Sequence, residues 1–477
     1  MKHDNNNHTM CETAEDANEE SSLKRNLKNR HIQLIAIGGA IGTGLFMGSG
    51  KTISVSGTSI ILTYAIIGFF MFFVMRAMGE ILLSNLKHKT FTDFCTQYIG
   101  QWAGYFIGWS YWLAWVVVAI ADCTVISSYM KFWFPDIPTW APAFGVLAVM
   151  FALNMFAVKI FGEVEFWFAL IKVVAIIALI ITGMVMISLS VTSPQGVVAS
   201  LSHLTADGVV FPYGISGFFA GFQIAIFSFA GIELIGTTAA ESHDPHKTLP
   251  KAINSVPVRV IIFYVLALSC IISVSSWANI HIDQSPFVQV FLIAGLPAAA
   301  GLINLVVLTS AMSAANSGVF ATSRMLYSLS GKGQAPKLFK ALSKSSIPVR
   351  GLVFSCLCMC AGLVILFIIP EVMTAFTMLT TISAILFIFA WAMILVAYIR
   401  YRRIDPQLHV ASKFKMPGGL LMPWIVLAFF AFVIVLLALE PDTLYAMLCM
   451  PIWFVILAVA YRRREQMPQL RSESAAS

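Results

Sequence analysis

Residues 37–50 read IGGAIGTGLFMGSG, and six of the fourteen are glycine: Gly38, Gly39, Gly42, Gly44, Gly48 and Gly50. The flanks are apolar over a length that spans a membrane as a helix. Glycine in a helix interior costs about 1 kcal/mol relative to alanine, so glycines in mid-span mark a place where the helix breaks. Lipid holds no water to satisfy a freed N–H or C=O. A broken helix persists at membrane depth where it lines a cavity or holds a ligand.

Composition supports the membrane setting. The chain has 477 residues, 58% of them hydrophobic and 11% charged, against about 25% charged in soluble domains. Such a chain cannot cover its surface with polar groups in water, which excludes a soluble globular protein. The eight cysteines are no disulfide framework. Cys356, Cys358 and Cys360 alternate in one apolar run, and a helix cannot aim all three at one metal, so they read as small hydrophobes. Residues 1–22 are polar and acidic, with Glu12, Glu15, Asp16, Glu19 and Glu20. No apolar signal core precedes the first span, and this tail is expected to be disordered.

Apolar runs of about 20 residues mark spanning helices. Twelve are expected, near 31–53, 59–84, 103–130, 140–158, 161–188, 214–241, 254–277, 296–328, 351–369, 373–399, 420–438 and 443–461, with a short amphipathic piece at 285–293. The positive-inside rule agrees. Lys24, Arg25, Lys28, Lys87, Lys89, Lys159, Lys247, Lys251, Lys332, Lys337, Arg402, Lys413 and Arg462 to Arg464 fall on one side, whereas 189–213 and 278–295 carry no Lys or Arg. Only Lys51 and Lys131 fall on the other side. Both termini are expected in the cytoplasm, and the net charge of +7 reflects topology rather than a nucleic-acid partner.

A second break is expected at Gly231 in FSFAGIELIG, residues 227–236, which lies 188 residues after Thr43. An odd number of spans per half turns the second half upside down. Glycine-interrupted spans at matching places in two inverted halves point to a transporter's binding site. The expected fold class is an all-α integral membrane protein with a five-plus-five inverted repeat. Its parts are a tail to residue 22, repeats at 23–190 and 191–400, two further helices at 401–464 and a tail at 465–477. At Ile41, Gly42, Thr43 and Gly44 the N–H groups opening a half-helix suit a carboxylate. At Phe229, Ala230, Gly231, Ile232 and Glu233 freed carbonyls suit an ammonium group. Gly48 and Gly50 read as packing positions or a helix end. GSGKT at 48–52 ends like a phosphate-binding loop, but that motif needs glycine where Leu45 stands, so no nucleotide is expected.

Lys172 lies about 15 Å into its span, mid-membrane, where an ammonium is expensive and marks function by default. It is the candidate for proton coupling, with a static pairing as the alternative reading. Thr309, Ser313 and Ser317 offer a polar lining at four-residue spacing. Glu233 accepts a proton, meets the substrate amine or braces the break; Glu241 is a gate or interface residue, and both carboxylates stand with Lys172 as candidates for proton coupling. Asp122 is placed near an outer vestibule. Trp102, Trp109, Trp112 and Trp115 read mainly as belt and packing residues, one of them available as a cavity wall. None of the nine histidines lies well inside a span. No cofactor and no metal are expected. A channel would need a charged stripe, and a membrane enzyme a His or carboxylate cluster; neither pattern is present.

NRHIQLIAIGGAIGTGLFMGSGKTIS (29–54), GEVEFWFALIKVVAI (162–176), GFQIAIFSFAGIELIGTTAAESHDP (221–245) and SAANSGVFATSRMLYSLSGKGQAPK (313–337) resemble the amino acid transporter family of the amino acid–polyamine–organocation superfamily. The resemblance extends over nearly all of the chain after residue 23. It implies alternating access and proton symport of small neutral amino acids across a bacterial inner membrane. It also implies the substrate carboxylate on Gly42–Gly44, the amine on Ala230–Glu233, and Lys172 as the coupling residue. MRAMGEILLSN (75–85) and SPFVQVFLIAGLPAAA (285–300) look like a branch of that family that carries glycine, D-alanine and D-serine. An exchanger, or a sensor that binds without transporting, are the alternatives on the same fold.

Overall fold

The computed structural model describes residues 41–86, 88, 90–155, 158–193, 196–206, 208–234 and 244–476, with backbone alone at 158–162, 164 and 465–476. Among the described residues the chain is all helical. One isolated antiparallel bridge, Thr192 with Val198, interrupts the pattern. In chain order the main helices are α1 (Thr43–Phe46), α2 (Gly48–Ser56), α3 (Ile60–Ser84), α4 (Phe91–Tyr98), α5 (Gln101–Met130), α6 (Trp140–Asn154), α7 (Val158–Ser188), α8 (Gly214–Ala220) and α9 (Phe222–Phe227). They continue with α10 (Pro245–Asn254), α11 (Ala267–Val274), α12 (Pro286–Ile293), α13 (Pro297–Gly331), α14 (Val349–Leu363), α15 (Val372–Ile404), α16 (Pro406–Ala411), α17 (Leu421–Leu439) and α18 (Pro441–Ala476).

Nine helices among the described residues are long and apolar enough to cross a membrane, and two shorter apolar ones lie at Trp140–Asn154 and Gly214–Phe227. Gly48–Ser84 counts as one of the nine, although a 3-10 turn at Gly57–Ser59 separates α2 from α3 within it. Gly57 has φ +59°, and a β-carbon there would lie 2.5 Å from Pro212. Both the left-handed backbone and the close approach demand glycine.

Burial sorts the helices into a centre and a periphery. In α5, 83% of the apolar window is buried, and in α15, 78%; the corresponding windows of α17 and α18 are 39% and 22% buried. The centre is α5, which packs along α13 and α15. Small residues permit this approach: a β-carbon on Gly108 would lie 2.5 Å from Leu329, and one on Gly318 3.2 Å from Ala119. Close backbone contact through small residues is how helices associate where lipid gives no hydrophobic drive.

The faces of α7 follow from spacing. Glu165, Ala169, Lys172, Ile176 and Leu179 recur every three or four residues, and all are buried. Trp167, Ile171, Val174, Ile177 and Ile181 lie on the opposite face and are exposed. That exposed apolar stripe is a lipid-facing surface. On another part of the bundle, the segment after α15 is tied to α3. Buried Glu80 accepts hydrogen bonds from Tyr398 (2.8 Å) and the Met416 amide (2.7 Å), and it meets His409 at 2.5 Å. Arg76, one turn earlier on α3, bonds the Lys415 carbonyl and covers the Phe414 ring.

Candidate functional site

The start of α1 and the end of α9 meet in the middle of the bundle, and non-helical backbone stands at both places. At the first, Ile41 and Gly42 precede α1. Gly42 is extended (φ −134°, ψ −164°) and supplies no side-chain cap. The opening N–H groups of a helix have no intrahelical partner, and here no side chain fills that role. α1 passes through a single turn residue, Met47, into α2. Its far end is pinned by Ser285, which donates to the Phe46 carbonyl at 2.6 Å.

At the second interruption α9 ends at Phe227, and residues 228–233 run through turns. Gly231 has φ +91°, a conformation that glycine adopts without the steric cost of a β-carbon. Tyr264 donates to the Ser228 carbonyl at 2.9 Å, and Tyr64 and Ser228 share a 3.0 Å hydrogen bond between hydroxyls. Phe229 stacks on Tyr264 with 5.1 Å between centroids and 10° between planes. An aromatic brace thus fixes the break from behind.

Between the breaks lies a cavity of about 40 Å³, room for a few waters at ~10–15 Å³ each. Ile41, Gly42, Thr43 and Gly44 line it from the first break, and Phe227, Ser228 and Ala230 from the second. Helix α5 adds Trp115, Val118 and Asp122, α7 adds Glu165 and Lys172, and α13 adds Ala314 and Ser317. A β-carbon at Gly42 would meet nothing within 4 Å, so this glycine leaves the cavity wall as bare backbone. Gly44 faces Ser228 across the narrow gap between the breaks, and Gly48 is packed against Ile224.

The sequence-expected residues divide into those in the wall and those behind it. Ile41 to Gly44, Ala230, Lys172 and Ser317 stand in the wall. Phe229, Gly231 and Ile232 shape the second break from the packed side. Glu233 also lies behind it, fully buried, accepting hydrogen bonds from Tyr111 (3.0 Å) and Trp391 (3.2 Å). That arrangement ties the break to α5 and α15. Ser313 touches Lys172 directly at 3.0 Å, whereas Thr309 turns back to its own helix at the Val306 carbonyl. Glu241 lies outside the described residues. Trp115 forms wall, while Trp109 and Trp112 bond Gln334 and Ser355 in packed surroundings.

Two carboxylates take places that the sequence reading did not give them. Asp122 is fully buried and accepts the Thr43 hydroxyl at 2.6 Å, at the first break rather than at an outer vestibule. Glu165 accepts the Ser313 hydroxyl at 2.7 Å. The signal for Glu165 was its spacing of seven from Lys172, which places both on one helical face.

Residues 31–469 match the family model described as amino acid permease. The chain is 59% identical to a D-serine/D-alanine/glycine transporter of Escherichia coli over 93% of this chain and 94% of the relative. It is 47% identical to the amino-acid permease AapA of Bacillus subtilis, over 93% and 96% of the two chains. An aromatic amino acid transport protein, AroP, of Escherichia coli is 41% identical over 93% and 96%. The chain belongs to the amino acid permease family.

Proposed function

We propose that this membrane protein is a secondary active transporter that imports small neutral amino acids by proton symport, with glycine, D-alanine, D-serine and L-alanine as substrates. The observation that carries the reading is the meeting of two helix breaks on one small cavity. The bare N–H groups at Gly42 to Gly44 suit a substrate carboxylate, because the positive end of a helix dipole favours an anion. At the second break Ala230 stands in the cavity wall, and its carbonyl suits the substrate ammonium. One zwitterion then spans both breaks, and Trp115, Val118 and Phe227 restrict the space left for its side chain. A small substrate is in keeping with the named specificity of the relative that is 59% identical.

Coupling is assigned to the ionisable group in the cavity wall, where the Lys172 ammonium stands with Asp122 and Glu165. Glu233 acts as the brace of the second break in this reading, and Glu241 remains a candidate gate beyond it. The architecture we propose has twelve spans, a five-plus-five inverted repeat and two added helices. Both termini lie in the cytoplasm of a bacterial cell, with the bundle in the inner membrane.

The test is uptake of labelled D-alanine into sodium-free proteoliposomes, with and without an inward proton gradient. Accumulation that requires the gradient supports symport. Uptake that requires preloaded amino acid assigns exchange instead, and binding without uptake assigns a sensor.

A further inference from the structure

Lys172, Ser313 and Glu165 form one hydrogen-bonded line beside the cavity. Lys172 Nζ donates to Ser313 Oγ at 3.0 Å, and that hydroxyl donates on to Glu165 Oε1 at 2.7 Å. Glu165 and Lys172 share a face of α7 two turns apart, about 10 Å along the axis. Glu165 is the one nearer the Val158 end, which is cytoplasmic on the topology proposed above. Its Oε2 has no hydrogen bond among the described residues, and Asp122 Oδ2 is in the same condition. Both side chains are almost wholly buried, and both line the cavity.

The charges do not balance. Asp122, Glu165 and Lys172 are the ionisable side chains in the described cavity wall. With all three ionised the site carries one net negative charge in a setting with little water, which is costly. A zwitterionic substrate adds no net charge. One added proton neutralises the loaded cavity. Lys172, facing two carboxylates, is favoured as the ammonium. Asp122 is committed to the Thr43 hydroxyl inside the cradle, whereas Glu165 stands on the exit side.

We infer that the cotransported proton rides on the Glu165 carboxyl, while Lys172 stays an ammonium and Ser313 bridges the two. This rests on the symport reading above. In the outward-open state a hydronium ion gives its proton to the Glu165 carboxylate: its O–H bond breaks, the carboxyl O–H bond forms, and a water molecule is left outside. After the inward opening the carboxyl O–H bond breaks, the proton passes to cytoplasmic water, and the carboxylate is restored. No electrons are transferred, and Lys172 neither gains nor loses a proton.

The test uses the full chain in proteoliposomes with labelled D-alanine. Two readouts are taken: gradient-driven accumulation, and counterflow of label against unlabelled D-alanine without a gradient. Glu165→Gln mimics the protonated carboxyl. It is expected to lose accumulation at least tenfold while counterflow persists, and Glu165→Asp is expected to restore part of the accumulation. In Lys172→Arg, whose guanidinium holds its proton at any working pH, the gradient response is expected to survive at a reduced rate. Accumulation by Glu165→Gln at the wild-type level overturns the inference. So does loss of counterflow together with D-alanine-induced thermal stabilisation in that variant, which would place Glu165 in the substrate grip. Loss of the gradient response in Lys172→Arg, with the response intact in Glu165→Gln, assigns the proton to Lys172. Wild-type protein that ignores the gradient refutes symport itself, a separate failure.

Discussion

A β-carbon on Gly44 would lie 2.7 Å from the Ser228 hydroxyl and 2.8 Å from the Ser228 α-carbon, so the two helix breaks are in backbone contact at this pair. Gly42, two residues earlier, faces open space. The two glycines therefore do different work, and their substitutions separate packing from access.

Gly44→Ala is expected to force the breaks apart. Overpacking of a fitted interior costs about 1–3 kcal/mol. The variant should melt several degrees lower and transport poorly, and Gly44→Val should be worse. Gly42→Ala should fold with near wild-type stability yet bind substrate at least tenfold more weakly. Thermal melts combined with D-alanine binding read both effects, and equal damage at the two positions would contradict the assignment.

Lys172→Ala is expected to abolish gradient-driven accumulation, because it removes the ammonium that Ser313 contacts at 3.0 Å and leaves two carboxylates in the cavity wall without a cation. Labelled D-alanine uptake at several gradient strengths checks this. An unchanged gradient response would remove Lys172 from the mechanism.

Val118→Ala is expected to enlarge the side-chain end of the cavity. A methylene's worth of space in an apolar pocket changes discrimination by about 1–3 kcal/mol. Competition by valine and 2-aminobutyrate should strengthen about tenfold, with glycine transport little altered. Unlabelled amino acids competing against labelled glycine provide the measurement.

Tyr264→Phe deletes the donor that satisfies the Ser228 carbonyl and keeps the ring stacked on Phe229. Leaving a buried acceptor unpaired costs about 1–3 kcal/mol. A lower melting temperature is expected, together with slower transport at unchanged substrate range. A variant as stable as wild type would show that the break is held by other contacts.

The helix start after Gly42 and the turn at Gly231 were legible in sequence because glycine is the residue that reports on backbone. Gly42, Gly44 and Gly231 stand out in apolar runs, and a mid-span lysine at position 172 is conspicuous by cost alone. What could not be read was which side of each break faces the cavity. Glu233 and Ala230 are three residues apart, yet one sits behind the break between Tyr111 and Trp391 and the other in the wall. Helical periodicity does not extend through a segment that has left the helix. Asp122 and Glu165 were missed for another reason: their partners, Thr43 and Ser313, lie 79 and 148 positions away. Hydropathy gives an expectation of twelve spans, while nine described helices meet the length and apolarity of a crossing. The first break begins where the described residues begin, and the fourth and sixth runs are short.

The cradle between the breaks is proposed to be main chain, and the rest of the wall is made of side chains on α5, α7 and α13. On the proposed reading, what every amino acid shares is recognised by groups that substitution barely alters, and what distinguishes one amino acid from another meets replaceable residues. Diet and grip are then separately heritable. A descendant of this protein can exchange one nutrient for another through a few changes near Trp115 and Val118, without relearning how to hold an amino acid.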